Sequence, residues 1–330
     1  MNALITGSAG HLGEALAHTL TDLSHSVIGI DIRASRFTTH VGSIEDRAFV
    51  RRCLAGVDVI FHTATLHKPH IVTHSLQQFV DTNMTGTLNL LQEATDAGVE
   101  RFVFTSTTSV FGDALTPPAG APAAWITEDV VPAPKNIYGV TKRAAEDVCR
   151  LFHRDRGLAC LILRTSRFFP EDDDNQRVRQ AYATDNLKAN EYLFRRVSLD
   201  DAVRAHLRAA ERAADIGFGT YIISATTPFS PDDCAELRTD APAVVQQLFP
   251  DYVAEYRRRG WQMFPHIDRV YVNDRARTEL GWQPQHDFRA ILEQLKAGHS
   301  TQTPLAGRVG TKGYHDEQFP EGPYPVDTNR

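Results

Sequence analysis

The most constraining feature lies at the start of the chain. An apolar run at residues 2–6 (NALIT) ends in a turn carrying Gly7, Gly10 and Gly13, and the helix-like HLGEALAHTLTDL follows at once. A G-x-x-G-x-x-G turn between a strand and a helix has a physical reading at each glycine. Gly7 permits the tight turn, Gly10 lets backbone approach a pyrophosphate, and Gly13 lets the helix pack close to the sheet. The free N–H groups of the helix start then face the phosphate oxygens. Asp31, 18 residues after Gly13, ends the next apolar run (SVIGID). A carboxylate there accepts hydrogen bonds from both hydroxyls of an adenosine ribose and repels a 2′-phosphate, which favours NAD over NADP. Arg33 and Arg36 lie nearby, suited to a phosphate, to adenine stacking or to a solvated surface.

The same rhythm continues. Strand-like runs at 57–64, 101–107, 159–166 and 219–224 alternate with helix-like segments near 45–55, 82–98, 138–157 and 198–213. Gly98 and Gly157 stand where helix C-caps belong. Near-continuous apolar strands separated by helices predict an α/β fold, a Rossmann-type doubly wound parallel sheet covered on both faces. The expected division is a cofactor-binding domain of residues 1–166 and 196–226, and a smaller substrate domain of 167–195 and 227–298. The charged stretch after Arg167 reads as irregular, and short helices are expected near 243–259, 273–280 and 287–297. Residues 299–330, rich in Gly and Pro, read as a tail, an arm or a disordered segment.

Composition narrows the function classes. The 330 residues are 42% hydrophobic and 23% charged, with a net charge of −6. No basic run points to nucleic acid, and no apolar run is long enough to cross a bilayer. The chain passes from Met1 directly into a strand-like segment, so no signal peptide is expected. Cys53, Cys149, Cys160 and Cys234 show no paired spacing, which predicts reduced thiols and a cytoplasmic protein.

The stretch NIYGVTKRAAED (136–147) places Tyr138 four residues before Lys142, on one helix face. In an arbitrary chain this is a tyrosine packed on a lysine stem. Its company here changes the reading. The segments TGSAGHLG, GSIED (42–46), HTAT (62–65), TNMTGTLNLL (82–91), FTSTTSVFG (104–112), YGVTK (138–142), LRTSRFFP (163–170), RRVSLDDAVRAHLRA (195–209) and ARTELGWQP (276–284) occur in this order. Together they resemble the extended short-chain dehydrogenase/reductases, in particular the NAD-dependent epimerase/dehydratase group.

The resemblance implies that Tyr138 is the general acid/base and that Lys142 holds the nicotinamide ribose and lowers the Tyr138 pKa. Ionising a tyrosine near pH 7 requires roughly 4 kcal/mol, about what an ammonium ~4 Å away supplies at an effective dielectric near 20. Thr107 matches the catalytic Ser/Thr, with Ser106 and Thr108 as rivals and turn chemistry as the bland alternative. The implied NAD contacts are Gly7, Ala9, Gly10, His11, Leu12 and Gly13, then Asp31, Ile32 and Arg33, then Ser43 and Ile44. Thr63, Ala64, Thr65, Asn83, Thr105, Ser106, Tyr138 and Lys142 complete them. Asn83 orders backbone or water near the site, or caps a helix.

Histidines 62, 67, 70 and 74 invite a metal, but no Cys or carboxylate stands among them, and no metal is expected. His67, Lys68 and His70 are better placed for substrate. Arg167 and Arg196 either clamp an anionic group or pair with Asp172–Asp174 or Asp200. The three tryptophans, Trp125, Trp261 and Trp282, read as packing.

Departures from the family pattern fall on the substrate side. Phe111 stands where Tyr is usual, Thr65 where a small apolar residue is usual, and Arg167 where many sugar-nucleotide enzymes carry Asn. A glycine-rich strand before the 198–213 helix is absent. The expected function is NAD-dependent oxidation or epimerisation at a secondary hydroxyl of a sugar or sugar nucleotide, as in a UDP-glucose 4-epimerase. The alternatives are a dehydrogenase of a non-nucleotide polyol or sugar acid, and a non-catalytic NAD-binding regulator. Dehydratase chemistry fits less well, because Thr108 and Ser109 replace that subgroup's Asp-Glu pair. The resemblance also implies a homodimer packing the 82–98 and 138–157 helices.

Overall fold

The computed structural model describes residues 1–313, 315, 319, 320, 322, 325 and 326. Seven strands form one parallel sheet: β1 (Asn2–Thr6), β2 (Ser26–Asp31), β3 (His40–Val41), β4 (Val59–His62), β5 (Arg101–Thr107), β7 (Ala159–Thr165) and β8 (Phe218–Ile223), in the order β3-β2-β1-β4-β5-β7-β8. The chain runs outward from β1 to β3 and then returns to place β4 beside β1. That reversal opens a crevice beyond the C-terminal ends of β1 and β4, where open α/β sheets bind ligands. All seven residues of β7 are buried, which explains why these strands read as continuous apolar runs.

Helices cover both faces. On one, α1 (His11–Asp22) and α8 (Leu199–Ile216) pack over Ile5, Phe61, Val103 and Leu161. On the other lie α2 (Arg47–Cys53), α4 (Gly86–Asp96) and α5 (Ile137–Arg156), over Ile60, Phe102, Phe104 and Ile162. Asn136 caps α5 by accepting from the Gly139 N–H, and Gly157 ends it at φ 73°, the left-handed conformation that favours glycine. This cap fixes where α5 begins, and so where Tyr138 points.

A separate apolar cluster gathers Leu193, Leu237, Val245, Tyr256, Val270, Phe288 and Leu292. It also takes in Ala123, from a segment assigned by sequence to the first domain. There β6 (Ala124–Ile126) pairs in parallel with β9 (Arg269–Tyr271), joining residues remote in sequence.

Other segments differ from expectation. The 82–98 helix is the second part of a longer helical run. It starts as α3 (Leu76–Val80), passes through a π-helical turn at Asp81–Thr85, and continues as α4. The charged stretch expected to be irregular contains α6 (Gln176–Ala181) and α7 (Thr184–Glu191). Asn175 caps α6, and α7 is held by burial of Leu187, Ala189 and the arginine-paired Glu191. The expected 243–259 helix is two, Ala241–Leu248 and Tyr252–Arg259, parted around Pro250. Beyond residue 299, a short helix at Pro304–Val309 buries Ala306 and Val309 with the α1 and α8 core, so this part is neither free nor disordered. The four cysteines are free and buried. Among the described residues, no helix is long and apolar enough to cross a membrane.

Candidate active site

A cavity of about 860 Å³ opens over the sheet crevice. At its floor Gly7 has φ +71°, and a Cβ there would lie 2.8 Å from the Ala64 nitrogen. A Cβ on Gly13 would fall 2.0 Å from the Gly7 carbonyl oxygen, so α1 can sit this close only with hydrogen at that position. The Gly10 N–H donates to the Gly7 carbonyl at 3.0 Å and closes the turn. Thr6 Oγ1 accepts from the N–H groups of Thr63 and Ala64 at 3.1 and 3.0 Å, tying the ends of β1 and β4 together beneath the crevice.

Asp31 stands at the end of β2. Its carboxylate accepts from the Ala9 and Arg33 N–H groups at 3.0 and 2.9 Å, one on each oxygen. These bonds fix its orientation and leave lone pairs free for the hydroxyls of a ribose.

The reacting end is built by β5 and α5. Tyr138 donates its hydroxyl to Thr107 or accepts from it. Thr107 also accepts from the Ser109 N–H at 3.1 Å, which orients its side chain. Ser106, its rival, donates to Glu146 Oε1 at 2.6 Å. Glu146 is in turn held by Arg164 at 2.8 Å, so the Ser106 hydroxyl is committed to an interior network. Thr105 is hydrogen-bonded to His206 Nε2 at 2.8 Å. Phe111 is buried 5.0 Å beneath the Arg164 guanidinium and does not line the cavity.

Lys142 Nζ lies 4.0 Å above the Phe104 ring, and among the described residues nothing accepts a hydrogen bond from it. Burial draws its pKa down to about 7. Burial also pushes Tyr138 up to about 12, with the Thr107 hydrogen bond opposing. In the cofactor-free protein burial is the leading influence on Tyr138, and Lys142 is not among the causes of its shift. In this state desolvation dominates both groups, and Thr107 is the neighbour that favours the phenolate.

Of the expected contacts, all line the cavity except Asn83, Lys142 and Arg196. Asn83 is buried in the π-helical turn and acts one layer back. Its Oδ1 accepts from the Leu66 N–H at 2.8 Å, and its Nδ2 donates to the Leu66 carbonyl and to Thr141. Arg196 turns inward, 3.4 Å from Glu191 and donating to the Phe169 carbonyl at 2.8 Å. Its placement as a substrate contact is therefore corrected, because a buried carboxylate and a carbonyl already occupy its guanidinium. Arg167 reaches the cavity while paired with Asp173 at 2.9 Å. Lys68 is paired with Asp174 at 2.6 Å. His67 stacks on Phe169, and His11 is held by Glu171 at 2.7 Å. Among the described residues no three His, Cys, Asp or Glu side chains converge as a metal-binding set.

Sequence reasoning missed Arg195, Arg269, Tyr271, Phe169 and Glu171, which line the same cavity. They come from short elements and from an insertion without helical or strand period. For Phe169, Glu171 and Arg195 the one advance signal is the density of arginine and acid between residues 167 and 196, and for Arg269 and Tyr271 there was none.

Residues 3–223 match the model of the NAD dependent epimerase/dehydratase family. The chain belongs to this family. A UDP-glucose 4-epimerase of Rhizobium meliloti is 27% identical over 91% of this chain and 97% of its own. An uncharacterised protein of Sinorhizobium fredii is 32% identical over 49% of this chain, a match spanning only 40% of that relative. In fold, a short-chain dehydrogenase/reductase superfamily protein of Agrobacterium tumefaciens solved with bound NAD aligns at a TM-score of 0.65. It shares 23% identity over 90% of this chain and 96% of that one. The family member described here is an NAD-dependent enzyme. The glycine cradle and the unpartnered Lys142 ammonium suit the pyrophosphate and a ribose of that cofactor.

Proposed function

We propose that this enzyme moves a hydride between NAD and a secondary hydroxyl of a sugar or sugar derivative, with Tyr138 as the proton-transfer group. The observation that carries the reading is the hydrogen bond between Tyr138 and Thr107 on the cavity wall, with Lys142 one helical turn from Tyr138 on α5. NAD⁺, when bound, supplies the acceptor for the hydride leaving the carbinol carbon. Thr107 holds the substrate oxygen by donating to it. Tyr138 takes the hydroxyl proton, so the alcohol is oxidised to a ketone by loss of one hydride and one proton. Lys142 donates to ribose hydroxyls and stabilises the phenolate as Tyr138 ionises. In an epimerase the ketone stays bound and the hydride returns to its other face. The relative named UDP-glucose 4-epimerase supports that version.

The test is NAD⁺ reduction, and interconversion of epimers, across neutral sugars, sugar acids and UDP-sugars with the native enzyme and Tyr138→Phe. Loss of the acid/base group should lower turnover by about 10²–10⁴-fold while NAD still binds. An unaltered rate in the variant would sink the reading.

We also propose a homodimer and a reducing, cytoplasmic setting. Leu76, Leu88, Val140 and Leu151 are exposed on α3, α4 and α5 and support the dimer. Sedimentation at micromolar concentration checks it, and a monomer there counts against it. The free cysteines fit the compartment.

A further inference from the structure

One part of the cavity wall is rich in arginine. Arg167, Arg195 and Arg269 line it, and Arg196 lies just behind. Two carboxylates serve this group: Glu191, at 2.8, 3.4 and 3.6 Å from Arg195, Arg196 and Arg167, and Asp173, at 2.9 Å from Arg167. The other acids nearby are engaged elsewhere: Asp174 by Lys68, Glu171 by His11 and Asp172 by Thr184.

Arg269 makes no ion pair or hydrogen bond among the described residues, and its Nε is buried without a partner. Arg195 Nε is buried without a partner too. Burial disfavours the charge on Arg195, Glu191 opposes this, and the neighbouring Arg269 adds to the burial effect. Unsatisfied guanidinium donors and adjacent like charges are both unfavourable in a partly buried site. An oxyanion relieves both at once, through the planar fork that arginine offers to carboxylates and phosphates.

The cavity also limits size. About 860 Å³ is near the upper end of the roughly 300–1,000 Å³ typical of a single ligand site. The same cavity must also hold the dinucleotide, which favours a small second molecule over a second nucleotide.

We propose that the substrate is a small non-nucleotide polyol bearing an oxyanion, a carboxylate or a phosphoryl group, and that Arg195 and Arg269 bind that group. The proposal rests on the redox reading above for the chemistry at the other end of the molecule.

Arg269→Gln is the principal test, because Arg269 holds no internal ion pair whose loss would unfold the protein. Arg195→Gln is the second variant. NADH formation is followed with hexuronates and aldonates in one arm and sugar phosphates in another. The neutral parent sugars and UDP-sugars form the third and fourth. Binding of the same compounds to the NADH-loaded enzyme is read separately as a thermal shift.

The expected result is turnover in the carboxylate or the phosphate arm, which tells the two sources apart, with the neutral parents poor. In Arg269→Gln the KM for the favoured anion should rise roughly 10- to 100-fold, with a smaller change in kcat. Equal use of neutral sugars, exclusive use of UDP-sugars, or an unchanged KM in Arg269→Gln overturns the proposal and leaves the redox reading standing. Binding of the anion, lost in Arg269→Gln and with no hydride transfer from any compound, supports this site and sinks the redox reading instead.

Discussion

Lys142 is a buried ammonium whose charge the fold does not neutralise. Its pKa is about 7 in the folded protein against an ordinary 10.5, with burial as the leading cause. Between those values the unfolded chain holds a proton that the folded one lacks, so stability rises with pH through that window. Below pH 7 the full penalty applies. Replacing Lys142 with Met should therefore stabilise the cofactor-free protein, on the order of 3–5 kcal/mol below pH 7, with the gain fading as pH climbs toward 10.5. Urea unfolding at several pH values measures this, and a gain that grew with pH would contradict it. The same variant should lose turnover, the expected signature of a residue kept for chemistry at a cost in stability. The spacing of Tyr138 and Lys142 on one helix face is a local property, but it was the family resemblance that singled out these two and Thr107. The engagement of Ser106 was not legible, since its partner Glu146 lies 40 residues away and is itself fixed by Arg164.

At the scale of elements, the turn between β1 and α1 separates two demands that the sequence motif merges. Gly13 serves packing: its Cβ would collide with the Gly7 carbonyl at 2.0 Å. Gly10 has more room, its Cβ meeting the same oxygen at 3.3 Å, and its backbone forms the N-cap of α1 on the cavity wall. Gly13→Ala should thus destabilise the fold, by at least the 1–3 kcal/mol of ordinary overpacking (about), and lose NAD as a consequence. Gly10→Ala should keep a near-native melting temperature and still bind NAD weakly, because the added methyl stands where a pyrophosphate must approach. Calorimetric melting and NADH fluorescence titration tell these apart, and equal melting temperatures for the two variants would refute the division of roles. The long sheet elements were legible because their apolar period is set by burial. The helices α6 and α7 and the β6–β9 pair were not, because each has eight residues or fewer and is held by distant partners. Asn186 of α7 donates to the Gln262 carbonyl, and Trp125 of β6 pairs with Val270 of β9.

At the scale of the whole molecule, the C-terminal segment returns to the start of the chain. After the Pro304–Val309 helix docks on α1 and α8, Arg308 reaches Asp22 at 2.8 Å, and Lys312 Nζ reaches Glu14 at 2.5 Å. The Lys312 N–H donates to Glu171, and the Gly313 carbonyl accepts from Arg33 at 2.6 Å. Lys312, Gly313 and His315 line the same cavity as the glycine cradle, so this segment forms part of its rim. Gly and Pro content concealed this in the sequence, since a six-residue helix owes its stability to docking rather than to propensity. The contacts are individually modest, being partly exposed ion pairs and single hydrogen bonds. Together they bridge α1, the residue after Ile32 and the insertion after β7, which are walls of one site. Removing residues 311–330 leaves the docked helix in place and opens that rim. The truncated enzyme should keep its melting temperature within a few degrees. It should release NADH about three- to tenfold faster, the equivalent of roughly 1 kcal/mol of lost closure. Stopped-flow displacement of NADH measures the rate. An unchanged dissociation rate would mean that the segment borders the cofactor without retaining it.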